Sequence, residues 1–474
     1  MEVVSSTLFP NKDKASLEAF LRYCHSVVLQ KNNFQLVSIS LQVPHIDPLL
    51  VLASIHEKNA LHCYIEHPEE GKATIGAESA LSATFSGKDR FAKVKAFAEN
   101  IIENTIAFGD LTAAFTGPHF FTAFTFFDDL ESRKENSFAP ATVFVPLWQA
   151  SKTPDSCSVV VNIVVDKDSD IPQLVEKVWA AHKKLSAMNQ DTFPLAVPEQ
   201  AEVFQPEEVG GEAYFENAVR TAIIDIEKAK YSKIVLARAV DLKPKKPFNP
   251  LVSLNRLRKN FTNCYTLSFS NEQGKNFIAA TPEKLLTVSD NEFTTHALAG
   301  SAPRGKTGVE DEAYGIALLN SKKDIHEHQL VVDAILQNLA NINVSAEKSE
   351  QPVLLKLRNV QHIKTSISAY LINGQHILDL VSALHPTPAV GGTPVDVARN
   401  SIKEIENFDR GLYAGVIGWF DYKNNGQMLV AIRSALMEEH RARLFAGAGI
   451  VQGSDPYKEK AETDMKLQAL LLNI

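Results

Sequence analysis

The stretch GAGIVQGSDPYKEKAETDMKLQALLLN, residues 447 to 473, decides how the rest of the chain is read. Ser454 or Asp455 is placed to cap a first helical turn, and Pro456 suits the first helical position, where no backbone N–H is needed. From there Glu459, Glu462 and Lys466 recur at spacings of three and four, so one helical face carries two carboxylates and an ammonium. Set at a helix mouth reached through three glycines, that trio suits a hard cation held together with an anionic ligand. Taken alone, the triplet reads more readily as a solvated face with an i,i+4 Glu–Lys pair. What lies upstream decides. A dinucleotide site is rejected, because the spacing is G-x-G-x-x-x-G and too little chain follows for a βαβ unit.

At 474 residues, with 45% hydrophobic and 22% charged residues, the chain has ample material for a large core, and length alone suggests two or three domains. A net charge of −8 argues against a dedicated nucleic-acid binder, which would carry a basic patch. Cys24, Cys63, Cys157 and Cys264 lie far apart without CxxC spacing, so neither a disulfide framework nor a zinc site is expected. The N-terminus lacks the regions of a secretory signal, and no run approaches the length of a membrane span. A cytoplasmic protein is expected.

Helical periodicity marks residues 14–30, 90–107, 170–188, 213–230 and 311–342. Strand-like runs include 34–43, 49–54, 61–65, 141–148, 158–165 and 233–242. Three further strands are expected over 410–422, 428–438 and 442–451. The aromatic patch of Phe115, Phe120, Phe121, Phe124, Phe126 and Phe127 alternates with Thr and Ala and lacks interleaved basic residues, which favours a buried strand over a base-stacking platform. Strands in runs with helices inserted irregularly predict an α+β fold with mainly antiparallel sheets. Three prolines and a Gly-Gly across 188–211 mark a junction between an N-terminal half, 1–205, and a second half, 206–474. The two are expected to complete one another's sheets as a single large domain.

Several residues in the second half have a chemical and a bland reading. Lys233 opens an apolar strand, where burial would favour the neutral amine and hence a base or nucleophile; the alternative is a strand-end lysine snorkelling to solvent. Glu283 follows a proline that interrupts a strand; it reads as a general acid with a raised pKa or as a surface turn residue. Glu327, with Glu459 and Glu462, would make three carboxylates from two helices, a donor set for magnesium. Neighbouring His326 and His328 raise zinc, but the spacing is not HExxH and an i,i+2 pair faces opposite sides of a helix.

Eight segments taken together resemble the chorismate-binding enzyme family, which includes isochorismate, anthranilate, aminodeoxychorismate and salicylate synthases. They are YSKIVLAR (231–238), FIAATPEKLL (277–286), ALAGSAPRG (297–305), KDIHEHQLVVD (323–333), ALHPTPAVGG (383–392), RGLYAGVIGW (410–419), AIRSAL (431–436) and GAGIVQGSDPYKEKAET (447–463). Within the family the resemblance is strongest to the isochorismate synthases. It implies an isomerase that takes chorismate to isochorismate with Mg2+, water attacking C2 while the C4 hydroxyl leaves. Lys233 matches the base and Glu283 the acid. Glu327 and Glu459 match the metal ligands, with Glu462 in the same shell. Gly300, Ser301, Tyr413, Arg433, Gly447 and Lys466 match substrate-pocket positions, and His385 matches a histidine near the ring.

The resemblance also bears on the competing readings. Ala299 stands where aminodeoxychorismate synthases often carry a nucleophilic lysine, and ammonia-using relatives lack a base like Lys233. No amidotransferase subunit is therefore expected, and a monomer is. Several salicylate synthases have threonine at the position of Ala389, which tilts the reading towards isochorismate as end product. A menaquinone or phylloquinone destination is favoured over a siderophore pathway. A silent chorismate-binding protein would need neither Lys233 nor Glu283. One departure is Lys460, where the family commonly has an aromatic residue.

Overall fold

In the computed structural model the strands are antiparallel, except that Glu2–Val3 and Gln35–Val43 run parallel to Thr105–Phe108. The structure describes residues 1–4, 13–55, 59–129, 138–186, 204–357, 360–372 and 374–474. Among these, the strand pairings link into one hydrogen-bonded network, and helices pack around it. The chain is an α+β protein.

The network forks at the strand Ala141–Lys152. One edge pairs along the length of Lys72–Phe85, while the other is shared between His119–Phe124 and Cys157–Val165. From Lys72–Phe85 one arm runs through His62–His67, Tyr265–Ser270, Asn276–Thr281, Ser434–Glu438 and Arg441–Val451 to Lys233–Leu242. From His119–Phe124 a second arm runs through Val416–Asp421, Gly426–Val430, Lys284–Ser289 and Glu292–Pro303 to Val360–Tyr370. The chain crosses between arms at 281–284 and at 430–434.

Strands from the first 205 residues pair directly with strands from the remainder, His62–His67 with Tyr265–Ser270 and His119–Phe124 with Val416–Asp421. The aromatic patch is core here. Phe120, Phe121, Phe124 and Phe126 are buried, and Phe120 stacks on Phe420 at 5.1 Å.

Three local expectations are corrected. The run 49–54 is the helix Pro48–Ile55, because Asp47 accepts from Leu49 N at 3.0 Å and Pro48 opens the first turn; a short apolar run alone does not separate strand from buried helix. The long helical stretch is two helices, Gly308–Asn320 and Lys322–Asn341, broken where Ser321 caps the second through Asp324 N. The strand expected over 428–438 is two, because Arg433 turns the chain with φ +49°. The junction falls largely outside the described residues, which resume at 204.

Candidate active site

The two crossovers are tied to each other. Glu283 N donates to Thr281 Oγ1 at 3.1 Å, and Thr281 Oγ1 donates to Val430 O at 2.7 Å. Val430 N returns to Glu283 O at 3.0 Å, and Ala280 N to Arg433 O at 3.1 Å. Pro282 has no N–H to continue a ladder, so the interruption costs no hydrogen bond. Arg433 lies in the left-handed region, a conformation a non-glycine residue adopts at a cost of about 1–3 kcal/mol. Glu283 and Arg433 then line a cavity of about 310 Å³ between the two arms.

Lys233 reaches this cavity from the first residue of its strand, which pairs with Arg441–Val451 in a register placing Val235 opposite Gly449 and Ala237 opposite Gly447. Gly447 is required by close approach, and Gly449 sits in a tight but yielding contact. A Cβ on Gly447 would sit 2.6 Å from Tyr413 Oη, and one on Gly449 would sit 3.3 Å from Lys233 Cε. From the other arm come Gly300 and Ser301, at a bulge in the pairing with Val360–Tyr370 where Gly300 takes φ +76°. The helix Lys322–Asn341 delivers Glu327, whose Oε1 accepts from Lys233 Nζ at 2.6 Å.

The C-terminal helix Pro456–Leu471 closes the cavity. Asp455, not Ser454, caps it, accepting from Tyr457 N and Lys458 N. Glu459, Glu462 and Lys466 face inward, and Lys466 Nζ donates to Glu462 Oε1 at 2.7 Å and to Gly447 O at 2.8 Å. Lys460 lies away from the cavity lining, 3.6 Å from Asp464.

Burial sets the charge states. It pushes the Glu283 carboxyl up to about 8, against the opposing pull of Arg433 and Lys233. It raises Glu459 as well, and the neighbouring Glu462 carboxylate adds to the rise. Burial, with Arg433 and Lys466 close by, holds His362 down at about 3, so its imidazole is neutral. Tyr413 is raised by burial and stacks on Phe445 at 5.2 Å.

Lys233, Glu283, Gly300, Ser301, Glu327, Ala389, Tyr413, Arg433, Gly447, Glu459, Glu462 and Lys466 all line the one cavity. His385 is not among the lining residues; it follows the helix Ile377–Leu384, buried and edge-on to Phe126 at 6.2 Å. Sequence reading missed Lys323, Asp324 and His362, named Ser454 only as a candidate cap, and had Gly449 only through the signal of the glycine spacing. His362 had none, since its place depends on Ser301, whose Oγ lies 2.8 Å from its Nδ1.

Among the described residues no three His, Cys, Asp or Glu side chains converge as a ready ligand set. Glu327 and Glu462 are engaged by Lys233 and Lys466. The chemistry of the expected trio still fits a hard cation. The donors are carboxylate oxygens, and the raised Glu459 beside Glu462 is a pair that a cation would relieve. His328 is no ligand candidate, being buried with Nε2 at 2.7 Å from Thr365 Oγ1.

Gly447→Ala tests the tightness of the wall. The added methyl meets Tyr413 Oη and Leu236 O, so a loss of about 1–3 kcal/mol in thermal or urea unfolding is expected, with a raised KM for the ligand. Wild-type stability and KM would show that the wall yields.

A sequence model of the family described as "Chorismate binding enzyme" matches residues 19–474. The chain is 33% identical to isochorismate synthase MenF of Bacillus subtilis over 93% of either chain. It is also 33% identical to the salicylate biosynthesis isochorismate synthase of Pseudomonas aeruginosa, over 92% of this chain and 89% of that one. Its fold matches the structure of MenF, the menaquinone-specific isochorismate synthase from Escherichia coli, with a TM-score of 0.75 at 22% identity, covering 96% of this chain and 99% of the other.

Proposed function

This chain belongs to the chorismate-binding enzyme family, and on that premise we propose that it is an Mg2+-dependent isochorismate synthase, an isomerase. The observation that carries the reading is the presence, in one cavity, of a buried lysine and a buried carboxyl held up to about 8. Such a carboxyl is still protonated at neutral pH and can give its proton away.

The residues divide the work. Lys233 takes a proton from water as the oxygen attacks C2 of chorismate. Glu283 gives its proton to the C4 hydroxyl, which departs as water. One water enters and one leaves, so the product is an isomer of the substrate. Arg433 and Lys466 supply positive charge for the substrate's carboxylates. Glu327, Glu459 and Glu462 are the residues that would hold the ion, which when bound neutralises and fixes a substrate carboxylate. Here Lys233 is paired with Glu327, so the reading has Glu327 turn to the ion and leave Lys233 facing the water. Water as nucleophile calls for no amidotransferase partner, and we take the enzyme to act as a monomer.

Ala389 contributes only a methyl to the wall, which favours release of isochorismate over onward pyruvate elimination. We assign the product to quinone synthesis. Purified protein incubated with chorismate and Mg2+ is expected to yield isochorismate. Salicylate with pyruvate as main product would overturn that choice, and no turnover would overturn the enzyme reading. Glu459→Gln is expected to raise the Mg2+ concentration needed for half-maximal rate by about tenfold or more, and an unchanged requirement would remove it from the ligand set.

A further inference from the structure

The strand that carries Lys233 has a gap on one edge. Its opposite edge pairs continuously with Arg441–Val451. On the gapped side it meets strand partners only at its ends, where Lys233 and Ile234 face Thr393 and Gly392, and Val240 and Asp241 face Glu208 and Glu207. Between them Val235 N finds Gly391 O at 2.9 Å, and Ala239 O receives Val209 N at 3.0 Å. Among the backbone groups facing the gap are Val235 C=O and Ala237 N–H. A side-chain ion pair meets both.

Ala237 N donates to Glu406 Oε1 at 2.8 Å, and Arg410 Nη2 donates to Val235 O at 2.7 Å. Arg410 holds Glu406 through Nε at 2.9 Å and Nη2 at 2.6 Å, and its Nη1 donates to Val390 O at 3.1 Å. Arg410 is 1% exposed and Glu406 3%. The guanidinium lies over Phe126 at 4.3 Å and beside Tyr413 at 5.7 Å.

Burying two charges is a poor way to gain stability, since well-packed apolar residues of the same volume often do as well or better. Apolar residues would satisfy none of these backbone groups. What the pair touches explains it: Val235 and Val390, which it bonds, and Tyr413, whose ring lies beside it, all line the cavity, and Lys233 stands two residues before Val235 on the same strand face.

We propose that Glu406 and Arg410 are positioning residues for the reaction, an ion pair standing in for a missing strand to set Lys233, the 389–390 segment and Tyr413 in register. This rests on the isochorismate synthase reading. Neither residue lines the cavity, and Arg433 and Lys466, which face the substrate's carboxylates, are held by other elements. The pair therefore acts mainly on the geometry of attack, while Arg433 and Lys466 keep the main hold on the carboxylates.

Two variants test it alongside the wild type. The double variant Glu406→Gln/Arg410→Gln removes both charges together, so no buried charge is left unpaired, yet it cannot serve both the 235 and 390 carbonyls. Arg410→Lys keeps the charge and reaches fewer acceptors. The expected result is cooperative melting in both, with kcat per folded molecule down about 10²-fold in the double variant and about tenfold in Arg410→Lys, and KM for chorismate within about threefold of wild type. Wild-type kcat in either folded variant would overturn the proposal. So would activity that falls only with the folded fraction in Arg410→Lys, the milder change, should the double variant not fold. A wild-type protein that does not turn over chorismate strikes the underlying reading instead, and the two failures are distinct.

Discussion

Glu283→Gln is expected to lower turnover of chorismate by about 10²–10⁴-fold while making the protein more heat-stable at pH 8. The two effects have one cause. The amide keeps the shape of the carboxyl but has no proton to transfer, so the departing hydroxyl must leave unassisted. The stability effect follows from proton linkage. An unfolded glutamate ionises near ~4.3, whereas burial holds this one up to about 8. Between those values the folded protein keeps a proton that the unfolded chain has released. Stability from this group is therefore complete below about pH 4.3, falls as pH rises, and reaches its floor above about pH 8. The amide carries no such dependence. Its melting advantage should be absent near pH 4.5, grow with pH, and level off above about 8, as read by scanning calorimetry. A gap that stays flat would mean the carboxyl is not held protonated. In the wild type kcat/KM should decline above about pH 8 as the acid is lost, and that limb should be missing from the variant's residual rate.

Lys233→Ala is expected to cost a similar factor, about 10²–10⁴-fold in kcat, because no other amine stands at the head of that strand to take the proton from water. It carries a second, independent outcome. Lys233 Nζ lies 2.6 Å from Glu327 Oε1 with only 5% of its side chain exposed, so in the wild type a cation already occupies one of the carboxylates proposed to hold the ion. Removing it frees Glu327, and calorimetry should show Mg2+ binding at least about tenfold tighter in the inactive variant. Unchanged affinity would mean that Glu327 is not a ligand, whatever became of the rate. Wild-type turnover would end the assignment of Lys233 as base.

How much of this was legible beforehand varies by element. The C-terminal helix was readable in detail, because its cap, its first-position proline and the spacing of Glu459, Glu462 and Lys466 are local properties of an α-helix. Lys233 and Glu283 stood out as charges in apolar strands, a conflict that short-range pattern exposes. Pro48–Ile55 went the other way, since eight residues that are apolar but for Ser54 carry no period that separates strand from helix. His385 was named only by resemblance, and no local pattern would have shown that it packs edge-on to Phe126.

By itself the sequence determined the fold class and singled out Lys233, Glu283, Glu327, Glu459, Glu462 and Lys466, because periodicity, caps and out-of-place charges act over a few residues; Gly300, Ser301, Tyr413, Arg433 and Gly447 were named only through the family resemblance. Only the tertiary structure decided which carboxylates are already spoken for by lysines, where His362 lies, and what seals the open edge beside Lys233. Those depend on strands and helices that meet across long stretches of chain: Glu327 is 94 residues from Lys233, and Glu406 is 169 from Ala237. Pairings of that range follow from sheet register and packing, which no local spacing encodes.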